Sequence, residues 1–209
     1  MRRLEVHRDR AIPLPQPNVD TDQLVPARFL KTTEKAGLDR ALLADWRFRE
    51  DGSARPDSPF DHPPHGGGSI LLAGENFGSG SSREHAVWAL MAYGIRVVLA
   101  PRLADIFRHN ALENGLLAVE IEVPFHDRAV RTVQQHPEEQ IEVDLRQQHV
   151  RYGDSVTSFE ISPLARHRLL LGIDSLDYLL ARRKEYERWE RIHPSPVDTH
   201  ALEGFGRRP

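Results

Sequence analysis

The chain has 209 residues, 39 % of them hydrophobic and 28 % charged, with a formal net charge of −3. That is enough length for one soluble domain with a sizeable core, and so even a charge balance gives no reason to expect nucleic acid or an anionic membrane as partner. Cysteine is absent, which excludes disulfides, a thiol nucleophile and an iron–sulfur cluster held by cysteines of this chain. No apolar run approaches a membrane span, and the opening MRRLEVHRDR lacks the apolar segment of a secretory signal, so a cytoplasmic location is the default expectation.

In chain order, Arg3 to Ile12 reads as a strand closed off by Pro13, Pro15 and Pro17. The next stretch, NVDTDQLVPARFLKT from Asn18 to Thr32, places Asp20, Thr21 and Asp22 where they can cap or turn the chain. Two carboxylates without further ligands are too few for a hard cation, so no metal is expected here. Arg28, Phe29, Leu30 and Lys31 mix cationic and apolar side chains in one short loop. Leu38 to Phe48 reads as a helix, and residues 49–68, rich in Pro, Gly, Asp and His, as a mobile functional loop or flap. His62 and His65 lack a regular element to hold them as a metal pair, so a solvated loop is the expectation.

Ile70 to Pro101 is the most informative stretch. Ile70–Ala73 is a short apolar run ending at Gly74, as a buried parallel strand does. Gly74, Gly78 and Gly80 permit a tight turn. Ser81 and Glu84 stand at capping-box spacing, which predicts a helix from Ser81 or Ser82, with Ala86, Ala89, Leu90 and Tyr93 on its apolar face and Gly94 as its stop. Ile95–Ala100 is a second strand, which makes a βαβ unit with the serine-rich turn at the carboxyl end of a strand. That turn offers backbone N–H groups, a helix dipole, the fork of Arg83 and the hydroxyls of Ser79, Ser81 and Ser82 to an anion. It matches neither a P-loop nor a dinucleotide fingerprint, since Arg83 stands where the latter has its third glycine. Taken alone, these residues leave open a second reading, in which Ser81 merely caps the helix and Arg83 is an ordinary first-turn residue.

Leu103–Asn110 reads as a helix with Leu103, Ile106 and Phe107 on one face, and Leu116–Ile121 as the returning strand. His109 and Glu113, four apart, are read as a surface pair rather than metal ligands. Phe125–Gln135 reads as a helix. Ile141–Leu145, Val150–Tyr152 and Ser155–Ile161 read as antiparallel strands. A helix is expected from Ser162–Pro163 to Gly172, and a last, heavily charged one from Asp174 or Ser175 to about Ile192, its charges on a solvated face. The whole of 1–193 is expected to form a single domain, followed by a poorly ordered tail over 194–209.

The segments NVDTDQLVPARFL (18–30), LLADWRF (42–48), GENFGSGSSREHAVWAL (74–90), LADIFRHNALENGLL (103–117) and LLLGIDSLDYLL (169–180) resemble, in the same order, the small subunits of bacterial 3-isopropylmalate dehydratases, the detached swivelling domain of the aconitase superfamily. The resemblance implies an α/β fold, a swivelling β/β/α domain with a mostly parallel central sheet, flanking helices and a small antiparallel section. It implies a hydro-lyase active only with a large subunit, isomerising 2-isopropylmalate to 3-isopropylmalate through 2-isopropylmaleate in leucine biosynthesis. It also implies no cofactor in this chain and a [4Fe-4S] cluster on the large-subunit partner, whose open iron acts as Lewis acid on the departing hydroxyl. Ser81 matches the family's catalytic serine, and Arg83 the arginine that stabilises it and grips a substrate carboxylate. Ser79 and Ser82 are implied to add hydrogen bonds. Arg28, Phe29, Leu30 and Lys31 match the loop that reads the variable arm of the hydroxydicarboxylate substrate. Competing expectations are a related hydro-lyase acting on methyl- or dimethyl-malate or homoaconitate, and a non-catalytic anion-binding module. Leu112 and the long loop over 49–68 depart from the pattern.

Overall fold

A computed structural model describes residues 1–30 and 37–193. Among the described residues, those up to Asp174 form one compact unit and 175–193 belong to a second. Lys31 and the tail over 194–209 lie outside the described residues.

The first unit is built on a seven-stranded sheet of order β4-β3-β2-β1-β5-β6-β7. Its parallel part comprises β1 (Val6–Leu14), β2 (Ile70–Ala73), β3 (Val97–Ala100) and β4 (Leu117–Glu120). Its antiparallel part comprises β5 (Gln140–Asp144), β6 (His149–Tyr152) and β7 (Ser155–Ser158). The strand β1 joins them. Val6–Arg10 pairs with β5, and Ala11–Leu14 with β2. Pro13, expected to end the strand, lies inside it. Leu14 turns its carbonyl to β2, accepting from the Gly74 N–H, so Pro13 presents its missing donor to the other side, where β5 has already ended.

Both faces of the parallel part are covered, which is why β2 and β3 are apolar throughout and the half of β1 paired with β2 is buried. Leu71, Ala73 and Val98 pack on one face with α2 (Leu38–Ala41), α4 (Glu84–Tyr93) and α5 (Asp105–Asn114). Ile70, Leu72, Val97 and Leu99 pack on the other with α6 (Val123–Gln135) and α7 (Pro163–Leu171). The apolar face expected of α4 is present, with Ala86, Ala89 and Leu90 fully buried and Val87 beside them. On α5, Phe107 is buried but Ile106 is exposed. The helix begins at Asp105, two residues later than the sequence suggests, so Leu103 is buried ahead of it rather than on its face.

The helix expected over Leu38–Phe48 is two short ones, α2 and α3 (Ala44–Arg47), broken at Leu43, whose φ of 47° is left-handed. Residues 49–68 are not a free flap. Phe60 is buried against Tyr93, whose hydroxyl donates to the Phe60 carbonyl at 2.5 Å. Arg47, only 5 % exposed, donates to Asp61 at 2.6 Å and to the carbonyls of Asp39 and Leu42. Ser58 donates to the same carboxylate, and Arg10 reaches the Pro64 carbonyl from β1. The length of the segment signals mobility, but a buried ion pair and an aromatic contact hold it.

Ser162 caps α7 through its side chain and Gly172 ends it, as expected. In the second unit, the single helix expected to Ile192 is α8 (Ser175–Leu180) and α9 (Arg183–Ile192), with Arg183 and Glu187 paired at helical spacing along the charged run.

Candidate functional site

The loops that follow β1, β2 and β3 meet at the carboxyl edge of the parallel strands. The pairing of β1 with β2 continues past their ends. Asn18 donates to the Glu75 carbonyl, Gly78 to Val19 and Thr21 to Ser79, each at 2.8–2.9 Å, so 18–21 runs parallel beside 75–79. On the other side, Phe77 donates to the Arg102 carbonyl and accepts from Ala104. The glycines make this close approach possible. A Cβ on Gly74 would lie 2.2 Å from the Gln16 carbonyl oxygen. Gly78, at a φ of 78°, lies against the Phe107 ring, where a Cβ would come within 2.3 Å of Cγ. Phe107 in turn meets Phe77 edge-on, which anchors the turn to the core.

This zipper brings Asp20–Thr21–Asp22 alongside Ser79–Arg83. Thr21, 2 % exposed, accepts from the Ser81 N–H at 3.2 Å and donates its hydroxyl proton to the Ser81 carbonyl at 3.1 Å. Ser81 and Ser82 are exposed, and Ser79 is half-buried. Asp22 forms an ion pair with Arg83. Asp20 caps α1 (Thr21–Leu24) through a capping box with Gln23, so this carboxylate is a turn element, as its spacing suggests.

The predicted capping box at Ser81 is absent. The helix α4 starts at Glu84, and its N-cap is Arg83, in extended conformation with no side-chain cap. The reason lies in the backbone. Both main-chain groups of Ser81 are engaged by Thr21, and its carbonyl also accepts from the Arg83 N–H, so the segment cannot wind into the helix. Glu84 accepts instead from Asn114, which also accepts from Trp88, and these bonds tie α4 to α5. Ser81 is thereby left exposed, three residues ahead of the first residue of α4, whose leading N–H groups carry the positive end of the helix dipole.

Arg28, Phe29 and Leu30 lie a few residues beyond α1. Arg28 pairs with Asp45 at 2.5 Å and stacks over the Phe29 ring. The pairing holds the Asp45 carboxyl below its ordinary value, chiefly through the hydrogen bond from Arg28. Phe29 and Leu30 pack in part against the core. Arg28 and Phe29 also line an open cavity of about 820 Å³ with Arg40, Phe48 and Arg55. Among the described residues, no hydrogen bond or ion pair joins this loop to the serine turn. Four residues were not singled out by the sequence pattern as site residues. Thr21 and Asp22 hold the turn, and the Arg47–Asp61 pair holds the segment over 49–68.

His62 Nε2 donates to the Arg55 carbonyl at 3.0 Å, and Glu113 pairs with Arg168 across 55 residues. Among the described residues no group of three His, Asp or Glu could hold a metal ion, and no helix is long and apolar enough to cross a membrane. With no thiol in the sequence, the residues present do not fit an iron–sulfur cluster.

The family model for the aconitase C-terminal domain matches residues 1–124, which carry the parallel sheet and the serine turn, so the class of the protein is that of the aconitase superfamily's C-terminal domains. The 3-isopropylmalate dehydratase small subunits of Chloroflexus aurantiacus and Anaeromyxobacter dehalogenans are 44 % and 47 % identical to this chain over 191 residues, covering 91 % of it and 95 % and 98 % of theirs. A crystal structure of 3-isopropylmalate dehydratase from Methanocaldococcus jannaschii aligns with a TM-score of 0.63 at 25 % identity, over 88 % of this chain and 98 % of that one. The chain belongs to the family of 3-isopropylmalate dehydratase small subunits. The expected fold class holds, with three of the six strand pairings antiparallel.

Proposed function

We propose that this chain is the small subunit of a 3-isopropylmalate dehydratase, a cytoplasmic hydro-lyase that interconverts 2-isopropylmalate and 3-isopropylmalate through 2-isopropylmaleate. The observation that carries the reading is the exposed hydroxyl of Ser81 on a pinned backbone beside Arg83, in a chain 44–47 % identical to such subunits. Because no thiol is available here, the reading assigns a [4Fe-4S] cluster to a large-subunit partner, where it supplies the Lewis acid for the departing hydroxyl.

The steps assigned to this chain are its own. Ser81, as alkoxide, removes the proton from the substrate carbon. A serine hydroxyl is far too weak an acid to ionise unaided, so the alkoxide requires fixed positive charge nearby. The α4 N-terminus and the Arg83 guanidinium provide it. Only Nη1 of Arg83 is committed to Asp22, so other N–H groups of the fork remain to grip a substrate carboxylate. Ser79 and Ser82 add hydrogen bonds, and Arg28, Phe29, Leu30 and Lys31 read the variable arm, where apolar contact suits an isopropyl group.

Reconstitution tests this reading. The purified chain is expected to be inactive alone and to turn over 2-isopropylmalate when combined with its large subunit, in preference to methyl-malate, dimethyl-malate and homoaconitate. Turnover by the isolated chain, or preference for one of the other acids, would refute it.

A further inference from the structure

We infer that Thr21 is a positioning residue for Ser81, acting through the hydroxyl that straps the Ser81 main chain. This rests on the reading of Ser81 as the base. A hydroxyl carries one proton and two lone pairs, so it can donate once and accept at the same time. Thr21 does both towards one residue, donating to the Ser81 carbonyl at 3.1 Å and accepting from the Ser81 N–H at 3.2 Å. Its own N–H donates to the Ser79 carbonyl at 2.9 Å. One buried residue therefore holds the turn on both sides of Gly80, Ser79 through its main chain and Ser81 through its hydroxyl.

Gly80 is the counterpart of that grip. Its φ is 93°, and a Cβ there would stand 3.2 Å from Thr21 Oγ1, so glycine is what lets the hydroxyl approach. Thr21 is itself held, because Asp20 caps the helix in which it is the first residue and Asp20 and Gln23 close the capping box around it. The next residue, Asp22, binds Arg83. A single turn of α1 thus sets the backbone of the base and the guanidinium two residues beyond it. A threonine serving only the stability of the loop would need one partner. Occupying both polar groups of Ser81 fixes the direction of its Cα–Cβ bond, and that direction decides where the Ser81 oxygen stands relative to a substrate carbon. A misplacement of about 1 Å at such a point costs on the order of 100-fold in rate.

The test compares Thr21→Val, which keeps the shape and loses the hydroxyl, with Thr21→Ser, which keeps the hydroxyl. Each is assembled with the large subunit and assayed on whichever hydroxyacid the wild-type pair turns over. For Thr21→Val we expect kcat to fall about 10- to 100-fold with KM within about twofold, and for Thr21→Ser to restore kcat to within about threefold of wild type. Val143→Ala, a core change in the antiparallel part of the sheet, serves as a control for lost stability and should lower the melting temperature without lowering kcat. Hydrogen exchange of the Ser81 amide reads the strap without any assay of activity. It should be slow in wild type and Thr21→Ser, and at least about tenfold faster in Thr21→Val, as expected when a local opening becomes easier. Wild-type kcat in Thr21→Val, or an unprotected Ser81 amide in the wild-type protein, would overturn the inference. A substrate other than isopropylmalate would overturn the functional reading alone.

Discussion

Arg83 and Asp22 are ion-paired across 61 residues of sequence, with the arginine half-buried and the aspartate exposed. The pair holds the guanidinium of the residue two beyond Ser81 without fully burying it. An exposed pair of this kind adds little to stability, about 0–1 kcal/mol. Its value is in orientation. Arg83→Lys keeps the charge and loses the planar fork, so we predict KM for the substrate to rise about tenfold or more while the melting temperature stays close to that of wild type. Steady-state kinetics and a thermal melt of the assembled enzyme check both halves of the statement.

The absence of a capping bond at Ser81 separates the two readings of that residue. Loss of an N-cap serine costs about 1 kcal/mol. Ser81 makes no side-chain cap in this structure, so Ser81→Ala is expected to leave the urea midpoint of the isolated subunit unchanged. A drop of that size would mean that the hydroxyl is structural.

Gly78 tolerates no side chain. Its φ of 78° disfavours any L residue, and a Cβ would lie 2.3 Å from Phe107 Cγ, an atom fixed in the core. Gly78→Ala is predicted to destabilise the subunit by about 1–3 kcal/mol, the usual cost of overpacking, and to lower activity by displacing the serine turn. Gly153, at a φ of 52° with open space around it, is the natural comparison, since its variant bears the strain without the clash.

The ion pair of Arg47 and Asp61 makes stability depend on acidity. Burial raises the Asp61 carboxyl, but the hydrogen bonds from Arg47 and Ser58 outweigh it and hold the group below its ordinary value. The unfolded chain therefore takes up a proton first as the pH falls. Stability supplied by this carboxylate is complete above its unfolded value, near pH 4, and is lost as the pH drops through the folded one. Asp61→Asn should remove that slope. At neutral pH it should cost about 3–5 kcal/mol, because it leaves the Arg47 guanidinium buried and uncompensated. Urea unfolding between pH 7 and pH 3 measures both effects.

Much of this architecture was legible in the residues. The apolar run Ile70–Ala73 and the glycines after it gave the central βαβ unit, because a strand buried on both faces has no polar alternation to obscure it. The motif strings gave the family. What local pattern could not show was long-range competition for the backbone. Ser81 and Glu84 have the spacing of a capping box, but Thr21, 60 residues away, takes the Ser81 main chain and Asn114 takes Glu84. The loop over 49–68 looked free because its composition is that of a loop. Its anchors, Arg47 and Asp61, are charged residues that sequence places on a surface, and only their pairing makes burial tolerable. Leu43, in a left-handed conformation between two short helices, carries no sequence signal for the break it makes.

The most direct test of the account is the turnover number of the complex assembled with Ser81→Ala. If the hydroxyl is the base, kcat should fall by about 10²–10⁴-fold while the two subunits still copurify with an unchanged cluster content. Wild-type turnover by that complex would contradict the assignment, and the proton would have to be removed by another group.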